Sequence, residues 1–123
     1  MPITDYKELK VWQKAMDLVV EVYKITNILP KYETYGLSDQ MRRSAVSIPS
    51  NIAEGQERHS IVEFIRFLNI ARGSYSEIDT QLLICKRLGY VQELDIEKAL
   101  TLSNEVGKML SALISSLKST SNK

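Results

Sequence analysis

Few residues in this 123-residue chain could do chemistry, and their spacing argues against most of it. His59 is the single histidine, set between Arg58 and Ser60. A lone imidazole can serve as base or ligand. No acid-bearing motif or nucleophile elbow surrounds it, so it reads as a surface residue at a junction. Cys85 is the single cysteine. It cannot form an intrachain disulfide, and its place on an apolar helical seam marks it as core rather than as a reactive thiol. Glu54 with Glu57, and Glu77 with Asp79, offer paired carboxylates. The Glu-x-x-His motif of di-iron bundles is missing, however, and a zinc site lacks ligands. The expectation is a protein that is not an enzyme and needs no cofactor or metal.

The elements that carry these residues are helical. In the first segment, about residues 5–29, Leu9, Trp12, Met16, Val19 and Tyr23 form one stripe at three- and four-residue spacing. Val11, Ala15, Leu18, Val22, Ile25 and Leu29 form a second stripe beside it, so the apolar arc is wider than one neighbour requires. Pro30 ends the segment. A second helix begins near Leu37 or Ser38 and carries Leu37, Met41, Ala45, Ile48 and Ile52 on one stripe. The third has the clearest seam: Ile61, Phe64, Leu68, Ala71, Tyr75, Ile78, Leu82 and Cys85. Ser60 with Glu63 reads as its capping box and Gly89 as its C′ residue. The fourth, about residues 94–117, aligns Ile96, Ala99, Ser103, Val106, Leu110, Leu113 and Leu117. The pattern predicts an all-α fold: one antiparallel up-down four-helix bundle over residues 1–117, with 118–123 as a polar, flexible tail.

Pro49 lies inside the second helix, yet the apolar phase continues across it. This predicts a kink, with Ser47, Ser50 and Asn51 supplying hydrogen bonds near the carbonyl of Ala45 that the proline leaves without a donor. A polar stripe of Gln40, Arg43, Ser47, Ser50 and Glu54 runs along the same helix. On the third helix, the seam Phe67, Ile70, Ser74, Glu77, Gln81, Ile84 and Leu88 is polar in its middle. Two readings stay open. The seams can meet in a structural network of Gln40, Arg43, Ser47, Asn51, Glu54, Ser74, Glu77 and Gln81, with Arg43 paired to Glu77, or each can be a solvated face. Gly73, among Ala71, Ser74 and Ser76, predicts close approach of another helix.

Sixteen Lys and Arg against fifteen Asp and Glu leave a net charge of +1, without a basic tail or an acidic run. Apolar runs fall well short of the ~20 residues of a membrane span, and MPITDYKELK lacks a secretory signal pattern. A cytoplasmic location with no membrane partner is the default expectation.

The chain resembles the small bacterial four-helix proteins of the ribosomal-RNA intervening-sequence group, also called S23 ribosomal protein-like. The resemblance rests on LKVWQKAMDLVVEVYKIT, the Leu29-Pro30 exit, YGLSDQMRRSAVSIPSNIAEG, FIRFLNIARGSYSEIDTQL and the LGY stop. The accessory protein of diversity-generating retroelements is similar to the same group. The resemblance implies a barrel-like homopentamer, which agrees with the wide apolar arc of the first helix. It also implies RNA or DNA contacts and a reverse transcriptase or other protein as partner. Carried over by position, the basic candidates are Arg42, Arg43, Arg58, Arg66, Arg72, Lys86 and Arg87. This chain departs from the strongly basic retroelement members in being nearly neutral, which weighs against nucleic acid. The function expected is a non-enzymatic homo-oligomeric adaptor associated with RNA or DNA; the alternative is a structural or protein-interaction module without nucleic-acid binding.

Overall fold

The computed structural model describes residues 5–121, with Ser121 described in its backbone only. Four α-helices follow one another: α1 Lys10–Ile28, α2 Leu37–Glu57, α3 Ile61–Arg87 and α4 Glu93–Ser121. Short 3-10 turns at Tyr6–Glu8 and Lys31–Glu33 precede α1 and α2. Each helix packs on its chain neighbour, and α1 also packs on α4, closing a four-cornered bundle. The cross-links show that neighbours are antiparallel. Glu21 and Lys14 reach Lys98 and Glu105, while Asp79 and Lys86 reach Ser103 and Glu93. The helical backbone continues to Ser121, and residues 122–123 of the expected tail lie outside the described residues.

The apolar stripes read from spacing are the core. Ala15, Leu18, Val22, Met41, Ala45, Ile48, Ile52, Leu68, Ala71, Ile78, Leu82, Cys85, Ile96, Val106 and Leu110 are fully buried. One contiguous cluster contains them all, so the fold rests on removal of apolar surface from water. Local signals agree. The Ser60 hydroxyl accepts from the Glu63 amide at 3.3 Å, although the Glu63 carboxylate turns to Arg66 instead of closing the box. Gly89 takes φ +75° after α3. His59, at the α2–α3 junction, also has a left-handed φ of +54°, a strained choice for a residue with a Cβ.

α2 stays α-helical through the buried Pro49, in keeping with the unbroken apolar phase. Two local details differ from the sequence expectation. The Asn51 amide donates to the Ser47 carbonyl at 2.8 Å and the Ser47 hydroxyl at 2.9 Å, rather than to the Ala45 carbonyl that the proline leaves without its amide. Within the chain, Gly73 does not mark a close approach: a Cβ there would meet nothing within 4 Å. The close approaches lie elsewhere. The Tyr75 ring packs against Gly107 of α4, and a Cβ on Gly55 would come within 2.7 Å of Phe67 Cβ.

The α1–α2 connection is fastened by Glu33. Its carboxylate accepts from the Leu37 amide at 3.1 Å, capping α2, and from the Tyr90 hydroxyl at 2.8 Å, which ties the α3–α4 turn to the same point. These hydrogen bonds, led by that from Leu37, hold the Glu33 carboxyl below its usual range.

Two outcomes follow from these contacts. Gly107→Ala should lower stability in urea unfolding by about 1–3 kcal/mol, because the Tyr75 ring must leave its seat. Glu33→Gln should be less stable than wild type at neutral pH. A carboxyl held low contributes stability above its unfolded pKa and loses it as pH falls through the folded one, so the gap between the two unfolding midpoints should close on acidification.

Candidate functional site

One uncovered apolar face of the bundle is built by α1 and α2. One stripe of α1, from Val11 to Leu29, is buried by the bundle. The other remains open along its length, with Met16 42% and Tyr23 39% exposed, and Trp12 and Val19 half-buried. Tyr6, Trp12, Met16 and Val19 form one wall of a groove, and Val46, Pro49, Ser50 and Ala53 of α2 form the other. Val46 is 41% exposed, and the edge of the Tyr6 ring meets Trp12 with centroids 5.4 Å apart. Arg42 closes one end. Its guanidinium donates to Thr26 Oγ1 at 2.8 Å and Asn27 Oδ1 at 3.0 Å, and lies 4.7 Å from the centroid of Tyr23. No carboxylate pairs with Arg42 among the described residues. The α1 wall was visible in the sequence as a surplus stripe. The α2 wall escaped that reading, although Arg42, Val46, Pro49 and Ala53 recur at 4-3-4 spacing.

The polar seams do meet, but only at their centre. Ser74 Oγ donates to Ser47 Oγ at 2.8 Å, and Asn51 donates to the same hydroxyl. Gln81 is buried beside this line, and its amide oxygen accepts no hydrogen bond among the described residues. The charged members stay outside. Arg43, with 80% of its side chain exposed, pairs at 3.0 Å with Asp39 one turn earlier rather than with Glu77. Glu54 pairs with Arg58, while Gln40 and Glu77 face solvent. Burying Arg43 and Glu77 together would cost several kcal/mol in lost hydration, whereas hydroxyls and an amide satisfy one another at less cost.

The basic candidates are mostly engaged. Arg43, Arg58, Arg66 and Lys86 hold Asp39, Glu54, Glu63 and Glu93. Arg72 donates to Asn69 at 2.9 Å, and Arg87 is exposed. Arg42 and Lys86 lie at the same end of the bundle but turn apart, the first toward α1 and the second toward α4. Cys85 is sealed in the core with Sγ 3.5 Å from Met41 Sδ, and burial, with a smaller contribution from Glu33, pushes its thiol up to about 11. No cluster of three or more His, Cys, Asp or Glu side chains is placed to hold a metal among the described residues. Nor is any described helix long and apolar enough to cross a membrane.

The family model described as 23S rRNA-intervening sequence protein matches residues 7–112. The chain belongs to that family. A crystal structure from Bacteroides thetaiotaomicron, described as a protein of unknown function from the S23 ribosomal protein family, superposes with a TM-score of 0.78 at 28% identity. The match covers 85% of this chain and 95% of that one. No curated protein matches the chain. The family assignment accords with the helix-one, helix-two and helix-three motifs read from the sequence.

Cys85 gives a direct check of the core packing. Ellman's reagent at about pH 8 should leave the native thiol unmodified and titrate one thiol per chain in denaturant, since the thiolate is the reactive form and is disfavoured by burial.

Proposed function

We propose that this protein is a non-catalytic, homo-oligomeric interaction module, a pentamer by family resemblance, whose copies meet through the α1–α2 face. One observation carries the reading: Trp12, Met16, Val19, Tyr23 and Val46 form a continuous apolar surface that the chain itself leaves open. Monomers rarely leave large contiguous apolar patches in water, and a ring hides such a face on every copy. A bend at Pro49 would curve the α2 wall of this groove. A cytoplasmic adaptor role accords with a single buried thiol and near-neutral charge.

A second reading places RNA or DNA on the assembled ring. It is favoured by the shared end of Arg42, Arg43, Lys86 and Arg87, which symmetry would repeat on every subunit. The family description, with its intervening sequence of 23S rRNA, is compatible with it. A reverse transcriptase or another protein would dock on the same assembly in the adaptor role.

Light scattering on the purified protein tests the first reading. The expected mass is five times that of the chain, and Met16→Asp should reduce it to one while preserving helicity. A monomeric wild type at micromolar concentration would overturn the reading. Filter binding to RNA and DNA across a salt series tests the second: affinity that falls steeply with salt supports it, and no binding at low salt removes it.

A further inference from the structure

Resting on the homo-oligomeric reading, we infer that the contact is head-to-tail: the outer face of α3 on one copy fills the α1–α2 groove of the next, with Glu77 meeting the partner's Arg42. A ring requires two different faces per subunit, each complementary to the other. The chain has a second uncovered apolar face, and it lies on α3. Ile70, Ile84 and Leu88 are exposed there, at the 14-residue and four-residue spacings of one helix side. Gly73 and Glu77 stand between them.

Three observations on this face fit the groove. Glu77 has no ion-pair partner among the described residues, and it is the acid set among the exposed apolar residues of α3. Among the described residues, Arg42, at the end of the groove, is held by the neutral oxygens of Thr26 and Asn27 and by the Tyr23 ring. The charges are complementary, each lacks an opposite charge among the described residues of its own chain, and each borders an apolar surface. Gly73 presents bare backbone with open space above it, which nothing within the chain explains. A glycine facing outward on the docking ridge lets a neighbour's large side chain come close.

Height along the bundle supplies the third. Rotation about a ring axis parallel to the helices leaves every residue's height unchanged, so faces can meet only where their heights agree. The Ser74–Ser47 bond and the close Phe67–Gly55 approach set the register of α3 against α2. Three residues beyond Ser74, Glu77 lies level with Ser44, about 3 Å from the height of Arg42 at ~1.5 Å per residue. That gap is within reach of two long side chains. By the same register, Gly73 lies near the height of Pro49 and Ile70 near that of Ala53, opposite the groove, while Ile84 and Leu88 lie past Arg42, level with Leu37 and Glu33.

Charge reversal tests the pairing in the full chain. Arg42→Glu and Glu77→Arg should each weaken assembly at least tenfold in apparent dissociation constant by light scattering or sedimentation. The double variant, which exchanges the two charges, should recover most of that loss. Because Arg42 also braces α1, Gly73→Leu serves as a second probe: its side chain has free space in the single chain, so helicity and monomer melting should be retained while assembly is lost. If the wild type assembles but both single reversals and Gly73→Leu assemble normally, this contact is wrong and the homo-oligomeric reading survives. A double variant no better than the singles likewise overturns the pairing. A wild type that never assembles removes both.

Discussion

A helix at the corner of a four-helix bundle can hide only part of its circumference, and α1 carries more apolar surface than that corner covers. Its Val11-to-Leu29 stripe is sealed against α2 and α4, and the Trp12-to-Tyr23 stripe is left over. Extending the bundle with a fifth helix would have covered the remainder. This chain has none among its described residues, so the surplus faces water unless another molecule covers it.

The interior is fitted for rigidity. Tyr75 against Gly107 joins α3 to α4, and Phe67 against Gly55 joins α3 to α2. Ser47, Asn51 and Ser74 form a small polar cluster beside an otherwise apolar α2–α3 contact, and Glu33 pins the two loops at one end. A packed core with one satisfied polar cluster specifies register more sharply than apolar contact alone. In the proposed ring, a fixed register is what would let the outer faces match in height. The buried thiol and the scattered carboxylates fit the same picture, being placed for packing and surface pairing.

Much of this is legible in the sequence, because three- and four-residue spacing reports which side of a helix is dry. The stripes Met41-Ala45-Ile48-Ile52 and Leu68-Ala71-Ile78-Leu82-Cys85 are buried as spaced. What spacing could not supply was the partner across a contact. Arg43 lies on the stripe that meets α3, but its long side chain turns back one turn to Asp39, where it stays hydrated. Gly73 looked like a close-contact glycine, while Gly55 and Gly107 carry that role, because glycine shows no side in a sequence until its neighbour's ring is known. The Glu33–Tyr90 bond joins residues 57 apart in the chain, and local pattern holds no trace of such a pairing. The α2 wall of the groove was missed for a related reason: Val46 and Ala53 become a surface only once α1 is laid beside them.

Trp12 is the only tryptophan and stands in the wall of the uncovered groove. Its fluorescence reports the central claim without any substitution. On dilution through the assembly range, its emission should shift to the red and its quenching by acrylamide should rise several-fold as the face is released to water. Emission and quenching that stay constant from millimolar to nanomolar protein, at the values of a half-exposed indole, would mean that nothing covers this face and that the account built on it is mistaken.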